Sequence, residues 1–177
     1  MILEDKILVM KVKSGDGRAL CRIYEKYGES LLTVAGCILT NKGAAEDILH
    51  DVFLSFVERI KGFELNGSLK GYLAKCVANR ARDKIRRKSA KAMNPENVEH
   101  AGSKDPVQIV IESEEFKQLY NALIQLPPEQ RETILLHLQG GVKFKDIAKE
   151  QEVSTNTIQG RYRYGMKKLR VILEVEV

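Results

Sequence analysis

Asp47, His50 and Asp51 stand three and four residues apart in the run Asp47-Ile48-Leu49-His50-Asp51. On a helix that spacing gathers two carboxylates and an imidazole on one face. Such a set could pass a proton or hold a metal. No second ligand cluster joins them, and His100 and His137 have no evident carboxylate partners. Cys21, Cys37 and Cys76 form no CxxC or Cys/His zinc pattern. The sequence therefore offers no catalytic residue, no metal ligand set and no cofactor motif, and an enzyme is not expected. The odd, widely spaced cysteines read as small core residues and fit a reducing, cytoplasmic compartment.

A different chemistry is carried by polar side chains suited to base edges and phosphates. In the run Phe144–Ile158, Ile147 and Ala148 face inward on a short helix. The small Ala148 lets a second helix cross closely. Val153 plugs the turn, Ser154 can cap the next helix, and Ile158 packs back on the first. This is helix-turn-helix spacing, which sends the second helix into the major groove. At about 100° per residue, Ile158, Tyr162, Gly165, Leu169 and Ile172 share one stripe. Asn156, Gln159, Gly160, Arg163, Lys167 and Arg170 lie opposite it. Arg and Lys suit guanine edges or phosphates, and Asn and Gln suit adenine edges. The alternative is a helical hairpin with a charged face.

A second candidate surface lies upstream. In Ser68–Arg87, Leu69, Leu73, Val77 and Ala81 bury one side and leave Asn79, Arg80, Asp83, Arg86 and Arg87 for a nucleic acid. The preceding loop, Phe63 to Gly67, is placed to wall a pocket for an unstacked base. A third surface belongs to the helix 44–60. Ala45, Ile48, Leu49, Val52, Phe53, Phe56 and Ile60 form its apolar face, and Asp47, His50, Asp51, Leu54 and Glu58 the opposite one. An acidic face bearing an exposed leucine suits a basic partner helix, or it is simply solvated.

These residues need elements to position them. The chain has 177 residues, 44% hydrophobic and 30% charged, a core-forming composition. No apolar run reaches the roughly 18 residues of a membrane span, and the first residues do not resemble a signal peptide. The net charge of +5 is unevenly spread. Residues 1–78 carry +1, and residues 79–91 carry seven basic side chains against Asp83 alone. Residues 92–154 carry −5 and residues 155–177 carry +3. Two basic segments around an acidic middle point to a polyanion contacted in two places. Helical periodicity predicts helices over 3–13, 16–39, 44–60, 68–90, 109–125, 129–139, 144–151 and 154–173, with no strand alternation. Asn41-Lys42-Gly43 is expected to end the second helix. Asn94-Pro95, Ala101-Gly102-Ser103 and Asp105-Pro106 read as linker. The expected architecture is all-α, with two small helical domains, 1–90 and 109–177, joined by a flexible linker over 91–108.

The sequence resembles an extracytoplasmic-function sigma factor of bacterial RNA polymerase. The resemblance covers nearly the whole chain in family order. Lys13–Leu20 with Tyr24 and Tyr27 resembles the first conserved region, and Ala45–Leu54 the polymerase-binding helix. Ser68–Arg87 resembles the segment that opens and reads the minus-10 element. Leu126-Pro127-Pro128-Glu129-Gln130-Arg131-Glu132 and the helix-turn-helix resemble the minus-35-reading domain. The resemblance implies that Asp47, His50, Asp51, Leu54 and Glu58 dock on the clamp helices of the polymerase's largest subunit. It places Phe63, Asn66, Ser68, Lys70, Tyr72, Asn79, Arg80, Asp83, Arg86 and Arg87 at single-stranded minus-10 DNA, with Asn79 on the flipped base. It places Thr155, Asn156, Gln159, Gly160, Arg161, Arg163, Tyr164 and Lys167 at the minus-35 duplex, with Arg161 in a phosphate or structural role. Core polymerase, promoter DNA and an anti-sigma factor are the implied partners. Glu152 stands where the family's turn commonly has Gly, which predicts a non-glycine residue at positive φ. Asn156, Gly160, Tyr164 and Met166 also depart from the pattern, which bears on the promoter sequence read. Two other readings stay open: a stand-alone dimeric helix-turn-helix regulator, and a sigma-like protein that binds polymerase or an anti-sigma factor without reading promoters.

Overall fold

Side-chain caps begin four of the helices. Asp16 accepts from the Arg18 amide at 3.0 Å, Asn41 from Ala44 at 2.8 Å, Ser68 from Gly71 at 3.2 Å and Ser154 from Thr157 at 3.0 Å. Each satisfies an orphan amide and is worth about 1 kcal/mol. In this computed structural model, residues 2–92 and 114–175 are described. They form α1 (Ile2–Lys13), α2 (Gly17–Leu39), α3 (Lys42–Glu58), a 3-10 turn (Ile60–Gly62), α4 (Leu69–Ala92), α5 (Glu114–Ile124), α6 (Pro128–Leu138), α7 (Phe144–Glu150) and α8 (Thr155–Val175). No strand occurs among the described residues. His100 and nearly all of the expected linker, including its turn dipeptides, lie outside them.

One local expectation is corrected. Asn41-Lys42-Gly43 does not end α2. Thr40 does, at φ 53°, and Asn41 caps α3 while Lys42 and Gly43 are already helical. An Asn can serve either end of a helix, and here its side-chain oxygen found an N-terminal amide first. A second correction concerns Cys21, which is exposed, whereas Cys37 is buried.

Helix α2 is the axis of the molecule. Its Ile23, Leu31, Val34 and Ala35 have no solvent exposure. It packs against α1, α3 and α4 on the N-terminal side, and against α5 and α6 from the C-terminal half. The buried side chains form one continuous apolar cluster from Leu8 to Leu169. The helices on either side of 91–108 therefore share a core in this arrangement, because Ile134, Leu135 and Leu136 on α6 complete it.

Two glycines permit the closest helix approaches. A Cβ on Gly165 of α8 would stand 2.8 Å from Ile134 Cδ1 and 3.1 Å from Gln130 Cβ of α6. A Cβ on Gly140, just after α6, would stand 2.8 Å from Ala74 Cβ of α4. A buried polar cluster ties α1 to α2. The Tyr27 hydroxyl donates to Asp5 at 2.6 Å, and Lys26 donates to Asp5 at 2.9 Å and to Glu4 at 2.7 Å. Burial and the Asp5 contact push the Tyr27 phenol up to about 12.

Candidate nucleic-acid interface

The helix-turn-helix forms at the expected residues. Val153 donates its amide to Ala148 at 3.0 Å and packs against the core, as a plug should. Glu152 takes φ 54°, so a non-glycine residue does occupy the left-handed position. A carboxylate there is tolerated at a local cost of about 1–2 kcal/mol. Ile147, Ala148, Ile158 and Leu169 are buried, and Tyr162 packs edge-on to His137 and tilted on Phe144. Thr155, Asn156, Gln159, Arg163, Tyr164 and Lys167 are exposed along the opposite side of α8. Gly160 lies beside them with open space where a Cβ would go.

Arg161 points elsewhere. Its Nη1 donates to Gln151 Oε1 at 2.7 Å, tying α8 to the residue that follows α7. The structure thus gives Arg161 a structural contact within the motif.

Helix α4 presents its polar side as the spacing predicts. Leu69, Leu73, Val77 and Ala81 have no exposure, and Asp83, Arg86 and Arg87 face solvent. Arg86 pairs with Asp83 at 3.0 Å. Arg80 instead reaches α3, where it donates to Ser55 and lies 3.8 Å from Asp51. Before α4, Phe63 and Tyr72 stack tilted at 4.7 Å, and Phe63 meets Phe56 edge-on at 5.3 Å. Phe63 and Tyr72 line a cleft of about 610 Å³ together with Asn66, Ser68 and Lys75. Its volume suits a small planar ligand such as a base. Its other wall is Gly141 to Lys143 with Lys145 and Asp146, from the second half of the chain.

The acidic face of α3 is outward. Leu54 is 50% exposed, and Asp47, His50, Asp51 and Glu58 lie in solvent beside it. Lys84 of α4 stands 3.5 Å from Asp47. Among the described residues no group of three or more metal-ligating side chains gathers, and no helix is long and apolar enough to cross a membrane.

The contact that sequence reasoning missed joins the two candidate nucleic-acid surfaces. Asn79 donates to Glu150 of α7, and Arg82 donates to Asn79. Arg82 Nε lies 3.2 Å from Glu132 Oε1, too oblique for a hydrogen bond and so a charge contact. Glu132 also accepts from Gln151 Nε2 at 2.9 Å. Burial raises the Glu132 pKa, with Arg82, Gln151 and Arg161 pulling the other way. Nothing in the local pattern of α6 marks Glu132, because its partners come from three other segments.

This order of helices, a basic fourth helix and then a helix-turn-helix, matches two family models. "Sigma-70 region 2" matches residues 23–91, and "Sigma-70, region 4" matches residues 116–169. Curated relatives narrow the class. The ECF RNA polymerase sigma factor SigK of Mycolicibacterium vanbaalenii is 26% identical over 95% of this chain and 88% of that protein. SigK of Mycobacterium tuberculosis is 23% identical over 95% and 92%. SigE of Mycolicibacterium smegmatis is 25% identical over 84% of this chain, which spans 59% of that longer protein. In fold, CnrH, solved with the cytosolic domain of CnrY, aligns over 98% of this chain and 99% of its own at TM-score 0.68 and 20% identity. RpoE of Bartonella quintana, solved with the anti-sigma factor NepR, aligns over 88% and 97% at TM-score 0.69 and 21% identity. The chain belongs to the ECF sigma factors.

Proposed function

We propose that this chain is a promoter-recognition subunit that binds core RNA polymerase and directs initiation at promoters with minus-10 and minus-35 elements. It acts by binding and positioning, without catalysis of its own, in the cytoplasm. The α3 face of Asp47, His50, Asp51, Leu54 and Glu58 docks on polymerase. The aromatic-lined cleft and the polar side of α4 take the single-stranded minus-10 DNA, with Asn79 at the flipped base. The exposed side of α8 reads the minus-35 duplex through Gln159, Arg163 and their neighbours. Residues 1–90 and 109–177 act as separate modules on the promoter, joined through 91–108.

The observation that carries this reading is the pairing of two basic helices with an exposed acidic face carrying Leu54. A lone helix-turn-helix regulator has no use for that third surface. Tethering two weak DNA modules on one polymerase raises affinity by effective concentration. Net charge alone gives the free protein only weak, salt-sensitive DNA binding. An anti-sigma factor belongs to this reading as a partner, supported by the likeness to proteins solved with such partners.

Promoter-specific run-off transcription with core polymerase on genomic DNA tests it. Defined starts that appear only with the protein are the expected result. Polymerase binding without initiation points to a sigma-like protein that reads no promoter. Tight binding to palindromic DNA with no polymerase interaction points to a dimeric regulator.

A further inference from the structure

Glu132 on α6 touches both candidate DNA-reading segments at once. From α4 it holds Arg82, and from the helix-turn-helix it holds Gln151. Gln151 in turn holds Arg161 on α8. Arg82 and Glu150 both engage Asn79, so the base-reading amide of α4 is occupied by a residue of α7. The approach is close because Gly140 lacks a Cβ opposite Ala74.

We infer that Glu132 is a positioning residue that couples the minus-10 helix to the minus-35 helix. While Arg82 rests on Glu132, Asn79 stays occupied by Glu150 and Gln151 is held against Arg161 of α8. Single-stranded DNA on Asn79 must displace Glu150 and draw Arg82 away. Glu132 then keeps only Gln151, and the helix-turn-helix loses its polar tie to α4. Binding at one helix and closure at the other oppose each other, and linkage requires the opposition to be reciprocal. In the free protein the two readers are therefore mutually restrained. This inference rests on α4 taking single-stranded DNA, as proposed above.

The test uses the full chain and a fluorescein-labelled single-stranded DNA of random sequence. Affinity is read by anisotropy, and closure by amide hydrogen exchange over 150–161. DNA should speed exchange in that segment of the wild-type protein, a measurement that needs no variant. Glu132→Gln can still accept from Gln151 but no longer holds Arg82 by charge, so it should bind the strand more tightly, on the order of tenfold, the middle of the range for contacting groups. Glu129→Gln changes the net charge equally on the exposed side of the same helix and should change affinity less than about twofold. Gln151→Ala should speed exchange over 155–161 before DNA is added. Equal effects of Glu132→Gln and Glu129→Gln, or no exchange response to DNA, overturn the coupling. Failure of every variant to bind the strand would instead sink the assignment of α4 on which the coupling rests. Promoter-specific run-off together with an unchanged exchange pattern would leave the promoter reading standing and the coupling refuted.

Discussion

Two glycines five positions apart on α8 should respond to the same substitution with opposite signs. Replacing a mid-helix glycine by alanine gains about 1 kcal/mol of helix propensity. At Gly160 that gain is unopposed, because nothing lies within 4 Å of the added methyl. At Gly165 the methyl would meet Ile134 Cδ1 at 2.8 Å and Gln130 Cβ at 3.1 Å. Ile134 is 3% exposed, so its terminal methyl has little free space to enter. The Gln130 Cβ belongs to the stem of α6 and moves only with the helix. Overpacking of this kind costs about 1–3 kcal/mol. Gly160→Ala should therefore stabilise the protein by about 1 kcal/mol, and Gly165→Ala should range from neutral to about 2 kcal/mol destabilising. Urea unfolding followed by far-ultraviolet circular dichroism measures both. For a chain of this size about 1 kcal/mol also moves the Tm by about 2–4 °C. Equal stabilisation by the two variants would refute the close α6–α8 crossing. Gly160→Ala separates stability from function as well, since its methyl falls on the side of α8 proposed to read duplex DNA and should not improve duplex binding.

Leu54→Arg should abolish binding to core polymerase in a pull-down while leaving the helical circular dichroism unchanged, because Leu54 is half exposed; retained binding would refute the α3 docking face. Arg163→Ala should cost about 1–3 kcal/mol on promoter duplex if the side chain reads a base, and an equal loss on scrambled duplex would assign it to phosphate. Stability should fall as pH rises through the window between 9 and about 12. The Tyr27 and Tyr120 phenols are pushed up from 10.0 to about 12, and the Cys37 thiol from 9.0 to about 12, each chiefly by burial. A raised pKa in the folded state means that the unfolded chain releases its protons first, so the stabilisation is complete below the unfolded values and is lost on the way up. Tyr27→Phe should flatten that alkaline slope, which urea titrations at stepped pH would show.

The helices and the Ser154 cap were legible in the sequence because both are local. Ser154 accepts from the amide three residues on, whatever packs around it. The apolar stripes of α4 and α8 followed from period alone, and their partners' identities were not needed. Asn41 was misread for the same reason in reverse: local chemistry allows it to end one helix or begin the next, and only the backbone path through Thr40 chose. The positive φ at Glu152 was legible only through the resemblance, since Glu152 stands where the family's turn commonly has Gly.

What tertiary structure alone decided was which polar side chains meet. Asn79 and Arg82 lie in the sequence as ordinary members of a basic helix, while Glu132 and Glu150 lie in an acidic stretch. Their joining depends on α4 meeting α6 and α7, across fifty residues of chain or more. Periodicity reports which face of a helix is buried, but not what covers the other face. Gly165 shows the same division. Its sequence position put it on the apolar stripe of α8, and only the tertiary structure shows that a Cβ there would stand 2.8 Å from Ile134 Cδ1, marking a close crossing of α6 and α8.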